Sequence, residues 1–293
     1  MKLRAGVLCS RVRLEEKLLL DALRDRGVES ERIDVQAIGL ELPGGLDGYD
    51  LILIRCLSHW RALYASKLLA AGGQRILNTH AVIATCGDGL LTSLALFQSG
   101  VPTPRTKAAF SPQAALVVIE QMGYPVMLQP APGSPEALRV SINDKDAAET
   151  ILEHRDTLGG EQQSIFCIQQ SVGRPLREFR TLVVGEEVVA AIHRPPRQGG
   201  VPEVRGEPAE DCPVTSEMEQ ISRAAAAAVG GGVLAVDIQE GADGRLLVSG
   251  VHHTPQFRTF SSPAFCAGRR GQGDIAACIA DYCLSVINVG ATA

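Results

Sequence analysis

The chain has 293 residues, of which 45% are hydrophobic and 21% charged, a globular balance long enough for two or three lobes around shared cores. Its net charge of −5 argues against a general nucleic-acid or anionic-membrane surface. No stretch reaches the roughly 18 apolar residues of a membrane span, and the start MKLRAGVLCSRVRLEE meets charge too early for a secretory signal, so a cytoplasmic protein is expected.

In chain order, Arg4 to Leu8 reads as a strand, Leu14 to Arg24 as a helix and Asp50 to Ile54 as a strand; a helix over Trp60 to Ala71 and a strand over Arg75 to Leu77 follow. This βαβ rhythm predicts a parallel sheet closing near Asn78. The segment after the first strand, CSRVRLEE, carries neither GxGxxG nor GxxxxGK[ST], so a dinucleotide-type phosphate loop is excluded there. Val101-Pro102-Thr103-Pro104 ends the next helix and marks an expected hinge.

Beyond it the pattern from Arg105 is strand, helix (Pro112 to Gln121), strand (Pro125 to Leu128), strand (Leu138 to Ile142), helix (Asp144 to His154) and strand (Ile165 to Gln169), an α+β lobe. A hairpin of Phe179 to Val184 and Val188 to His193 turns at Gly185-Glu186-Glu187. Pro195 to Pro213 reads as a long loop. A helix over Ser216 to Val229 stops at Gly230-Gly231-Gly232, two strands follow at Leu234 to Gln239 and Leu246 to Val248, and Asp274 to Ile287 is a closing helix. The eight cysteines, Cys9, Cys56, Cys86, Cys167, Cys212, Cys266, Cys278 and Cys283, form no CxxC pair and read as reduced thiols, not a zinc site.

The wording Asn78, Cys86-Gly87-Asp88, Thr92-Ser93-Leu94-Ala95, Gly123-Tyr124-Pro125-Val126, Phe179-Arg180, Val183-Val184-Gly185-Glu186, Cys212-Pro213, Gly230-Gly231-Gly232, Ala235-Val236-Asp237 and His253-Thr254 resembles, in order and spacing, the LysX or RimK-like ATP-grasp ligases of carrier-protein-dependent lysine biosynthesis. The resemblance covers nearly the whole chain. It implies an α/β ATP-grasp fold: an N-terminal parallel-sheet lobe over residues 1–85, a central α+β lobe over 86–170 and a C-terminal α+β lobe over 171–293. It also implies ATP and Mg²⁺ as cofactors. The family reaction joins the amino group of 2-aminoadipate or glutamate to the C-terminal glutamate of an acidic, LysW-like carrier protein, through an acyl phosphate.

Against that family pattern the cations are the informative positions, because phosphoryl chemistry depends on offsetting negative charge. The lysine after Cys-Gly-Asp is Gly89 here, and the lysine of a Leu-Lys-Pro strand is Gln129. The phosphate loop Gly-Ser-Trp-Gly-Arg becomes Gly133-Ser134-Pro135-Glu136-Ala137, and the adenine-contacting Gln-Glu becomes Gln169-Gln170. Of the metal ligands Asp237 is kept, while Glu-Val-Asn becomes Gly250-Val251-His252. Gln129, Gln169 and Gln170 are thus the altered ATP positions, and Asp237 is the remaining metal candidate.

The substrate-side wording persists: Arg180 and Arg194 are the expected catalytic arginines, with Arg55, Arg205, His253 and Thr254 as substrate-binding candidates, since guanidinium clamps carboxylates in a fork. His252 and His253 are neighbours on a strand and face opposite sides, which disfavours a shared metal.

Three readings stand on these residues. The first is a homologue without ligase activity that regulates or assembles, as homo- or hetero-oligomer, with an active LysX-like subunit. The second is an active ligase in which Arg139 or Arg177 replaces the missing lysines. The third is a binding module for a small acidic amino acid.

Overall fold

The computed structural model describes residues 2–131, 133, 139–159, 164–171, 177–194, 209–260 and 275–289. The N-terminal lobe is a four-stranded, all-parallel sheet in the order β2-β1-β3-β4, made of β1 (Arg4–Cys9), β2 (Glu29–Asp34), β3 (Leu51–Ile54) and β4 (Ile76–Leu77). Its helices are α1 (Leu14–Arg24) and α2 (His59–Ala71). The fully buried LILI of β3 explains why a short apolar run announces a central parallel strand.

Strand β2 was not expected, and its sequence, ESERID, shows why. It is an edge strand that buries only Ser30 and Ile33, so its polar residues carry no alternating signal. A short helix, α3 (His80–Cys86), also lies where none was predicted; Thr79 caps it by accepting from the Val82 amide at 3.4 Å.

The central lobe is a four-stranded antiparallel sheet in the order β5-β8-β6-β7, built from β5 (Thr106–Ala109), β6 (Val126–Pro130), β7 (Val140–Ile142) and β8 (Phe166–Gln170). Helices α5 (Pro112–Met122) and α6 (Lys145–Leu158) cover it. Ser111 and Asp144 cap them through Ala114 and Ala147 at 3.1 and 2.8 Å. Its core of Ile119, Val126, Leu128, Ile142, Leu152 and Phe166 is its own.

The C-terminal lobe is a five-stranded sheet in the order β11-β10-β9-β12-β13. The hairpin of β9 (Arg177–Val184) and β10 (Glu187–Arg194) is longer than expected at both ends. Part of the segment read as a loop is a strand, β11 (Glu210–Asp211), paired with Ile192 and His193 of β10; residues 195–208 lie outside the described set. Backbone pairing, not side-chain pattern, makes so short a strand.

After α7 (Ser216–Ala228) come β12 (Val233–Glu240) and β13 (Leu246–His252), and the chain closes with α8 (Ile275–Val289). Among the described residues no helix is long and apolar enough to cross a membrane.

Packing joins lobes that the chain order separates. Helix α8 packs on α1, and one core holds Ala5, Val7 and Leu23 together with Leu182, Val184 and Ile279. Helix α4 (Gly89–Gln98) contributes Leu96 to the core of the C-terminal sheet beside Val236 and Val248. The expected hinge is laced to β13: Val248 donates to the Pro102 carbonyl at 2.8 Å, and Thr103 Oγ1 donates to the Val248 carbonyl at 2.9 Å.

The triple glycine stops α7, with Gly231 N donating to the Ala226 carbonyl at 2.8 Å and all three residues at positive φ. Gly232 then passes the Asn78 side chain, which donates to the Val233 and His253 carbonyls at 2.8 and 2.7 Å and accepts from Val233 N at 2.8 Å. A Cβ at Gly232 would lie 2.1 Å from Asn78 Oδ1, at φ +113. Gly232→Ala should therefore cost about 1–3 kcal/mol, read as a lowered urea midpoint with unchanged m.

Candidate functional site

Three neighbouring strands of the C-terminal sheet bring together Arg180, Asp237 and His252. Arg180 on β9 is in register with Asp237 on β12, and His252 on β13 lies diagonally on the same face. The Arg180 fork donates from Nε to Asp237 Oδ1 at 2.5 Å and from Nη2 to Oδ2 at 2.8 Å. His252 Nε2 reaches the same Oδ2 at 2.8 Å. Burial alone would raise the Asp237 carboxyl, but the Arg180 guanidinium and the His252 imidazole hold it well below the ordinary carboxylate range.

Beside this triad is a cavity of about 30 Å³, the size of a water, lined among others by Gly89, Gln129, Arg139, Asp237 and His252. Gln129 is buried at 4% exposure, with Nε2 3.5 Å from Cys167 Sγ. A Cβ on Gly89 would come within 2.5 Å of that Nε2. The Gln129 amide takes the space beside Gly89, so a side chain at 89 fits only if Gln129 shifts. Gln169 is also buried, donating to Ser93 Oγ at 3.2 Å and accepting from Arg139 Nη2 at 3.5 Å, whereas Gln170 is exposed at the strand end.

A second cleft, of about 150 Å³, opens where the N-terminal lobe meets β13; Arg13, His59, Arg180, His252, His253 and Thr254 line it. Arg55, expected to clamp a substrate carboxylate, is buried and bound within the chain. Its Nε donates to Glu16 Oε1 at 3.1 Å, and both terminal nitrogens reach the Pro255 carbonyl at 3.1 Å.

Glu16 is fully buried and also accepts from Arg13, at 3.0 and 2.7 Å. Burial would raise its carboxyl, but Arg13 and Arg55 together lower it. Sequence reading passed over Glu16 because it looked like one more acidic residue in a helix first turn, and over Arg13 because nothing in its neighbours marks it.

His253 exchanges a hydrogen bond between Nδ1 and Thr254 Oγ1 at 2.9 Å, and its ring lies 6.3 Å from that of His59. Burial, with the neighbouring imidazoles and Arg55, pushes His253 down to about 3. His59 is lowered by burial too, and its Nδ1 is a buried nitrogen with no hydrogen-bond partner. Arg194, at the end of β10 opposite Glu178, lines neither cavity. Ser134, Pro135, Glu136, Ala137 and Arg205 lie outside the described residues.

Comparison with known proteins places this geometry. The LysX preATP-grasp domain matches residues 5–85 and the RimK-like ATP-grasp domain matches residues 87–265. The chain belongs to the RimK-like ATP-grasp family.

Among curated relatives, the glutamate–LysW ligase ArgX of Sulfurisphaera tokodaii is 32% identical over 85% of this chain and 89% of its own. The alpha-aminoadipate–LysW ligase LysX of Saccharolobus solfataricus is 28% identical over 71% of this chain and 76% of its own. The RimK domain ATP-grasp protein of Sphaerobacter thermophilus, a solved structure, superposes with a TM-score of 0.79 at 26% identity, covering 95% of this chain and 98% of that one. These matches bear out the ATP-grasp fold and the kinship with LysW ligases.

ATP-grasp proteins characteristically use ATP and magnesium. Magnesium demands six oxygens in a near-ideal octahedron, with carboxylates free to contribute. Here both Asp237 oxygens already accept from Arg180 and one of them from His252, and the neighbouring strand presents Gly250 and an imidazole. Among the described residues, no three His, Cys, Asp or Glu side chains converge on a point where a metal ion would sit. With both its oxygens taken by Arg180 and His252, Asp237 as it stands does not fit the role of a magnesium ligand.

Proposed function

We propose that this RimK-like ATP-grasp chain has lost the ligation step and serves as a regulatory or partner subunit to an active LysX- or ArgX-like ligase. That ligase would use an acidic LysW-like carrier protein. The observation that supports this reading is that Gly89 and Gln129, which both line the small cavity, bring no cation to it, and that the Gln129 amide takes the room a side chain at 89 would need, where a triphosphate would need fixed cations. The names of the curated relatives support the pathway and the carrier.

The test is a melting curve with and without millimolar ATP and Mg²⁺. A site saturated a hundredfold adds about 2.7 kcal/mol to stability, a clear upward shift in Tm. No shift is expected, together with co-purification of an active LysX-like subunit. An ATP-dependent rise, or a chain that stays monomeric when mixed with such a subunit and the carrier, would sink the reading.

A second reading, an active ligase, is favoured by one observation: the Arg139 guanidinium lines the small cavity beside Gln129 and reaches Gln169. Arg177 offers no such support, since its fork holds Glu240 at 2.5 and 3.1 Å on the far end of β12. In that case Arg139→Ala should abolish the ATP-dependent shift. The third reading, a module for a small acidic amino acid, loses Arg55 to Glu16 and Pro255 but keeps His253 and Thr254 at the larger cleft. A rise in Tm with glutamate or 2-aminoadipate alone would single it out.

A further inference from the structure

Asp237 is a half-buried acid, its side chain 17% exposed. A carboxylate drawn partly out of water is stabilised by cations and donors placed against it, and removing one leaves a poorly compensated charge. In this chain the cation and the donors are part of the protein itself. Arg180 is 8% exposed and grips both oxygens through a planar fork; His252 closes on the outer oxygen from the next strand; Ser249 Oγ reaches the Asp237 carbonyl at 3.5 Å.

The arrangement is anchored by backbone as well. Asp237 pairs with Arg180 across β9–β12 and with Gly250 across β12–β13, and the register shift between Asp237 and Ile238 falls beside the acid. A divalent ion approaching Asp237 would have to displace one limb of the guanidinium and the imidazole. It would then sit within a few ångströms of a fixed positive charge, a repulsion of several kcal/mol at an effective dielectric near 20.

We propose that Arg180 and His252 stand permanently where a divalent cation would neutralise Asp237, so that this site is metal-independent by construction. The small cavity next to it is lined by Arg139 as well as by Asp237 and His252. The inference does not rest on the loss of ligase activity. A chain that bound nucleotide without metal would defeat the proposed function and leave this inference standing; one whose nucleotide binding required Mg²⁺ would defeat both.

The probe is Mn²⁺, followed by its electron paramagnetic resonance signal and by the Tm of the full chain. The wild-type protein should leave the free-ion signal unchanged up to about millimolar Mn²⁺ and show no shift in Tm. Arg180→Gln strips the fork from a half-buried acid and should lower Tm by a few degrees. Millimolar Mn²⁺ should then restore part of that loss and dampen the free-ion signal. If Arg180→Gln does not fold, His252→Ala removes one partner of the Asp237 carboxylate and should show the same gain of Mn²⁺ binding, more weakly. Mn²⁺ uptake by the wild-type chain, or failure of Mn²⁺ to stabilise or bind either folded variant, would overturn the proposal.

Discussion

Glu16→Gln is expected to destabilise the folded chain by about 3–5 kcal/mol, the cost of stranding buried charge when one partner of an ion cluster is removed. Glu16 has no exposed surface and serves two guanidinium groups, so the amide would leave Arg55 buried at 6% exposure without its counter-ion. Arg55 also fixes Pro255 and lies over the Phe257 ring at 5.7 Å, so the loss reaches the segment that follows β13. Urea denaturation should show a lower midpoint at unchanged m. Glu217→Gln, an exposed acid in the first turn of α7, is the control. Equal losses for the two would refute the account.

The second large effect is acid lability through His253. Its folded pKa is near 3, below the ordinary imidazole value near 6.5, so the native state holds the ring neutral while the unfolded chain takes up a proton. The sign follows from linkage. Above about pH 6.5 neither state binds the proton and there is no pH dependence from this group. Between about 6.5 and 3 the unfolded state binds more protons, and stability falls by up to about 1.4 kcal/mol for each pH unit lowered.

The depressed Asp237 and Glu16 carboxyls act in the same direction, losing their contribution as pH falls below the ordinary carboxylate values toward their lowered folded ones. Since their window lies lower, the upper limb between pH 6.5 and 5 belongs to histidine. His253→Gln should flatten that limb in a series of urea midpoints against pH while leaving the steeper loss below pH 4. An unchanged limb would mean that His253 is not the group responsible.

Much of the fold was legible in the chain. LILI, PVML and IFCIQQ declare themselves as strands because buried strands must be apolar on both faces, and the capped, periodic helices announce their own limits. The missed strands are those stabilised by backbone pairing at an edge: ESERID, and the Glu210–Asp211 strand inside a stretch of prolines and glycines. The cations absent from positions 89 and 129 could be read from the sequence directly, because a missing side chain is a local fact.

The reverse holds for the arginines. Arg55, Arg180 and Arg194 looked alike in sequence as carboxylate clamps, and three different environments separate them. Arg55 is bound to Glu16 inside the N-terminal lobe, Arg180 grips Asp237, and Arg194 stands at the end of a hairpin away from both cavities. Asp237 read as a residual metal ligand, yet its oxygens are filled by residues 57 positions before it and 15 after it.

Periodicity and turn spacing by themselves determined a parallel N-terminal lobe followed by α+β lobes, and the resemblance of the motifs to the RimK-like family implied the ATP-grasp architecture and the missing charge at positions 89 and 129. Only the tertiary structure decided which charges neutralise one another, since pairing over tens or hundreds of residues is set by sheet register and lobe packing. Sequence spacing carries no record of either.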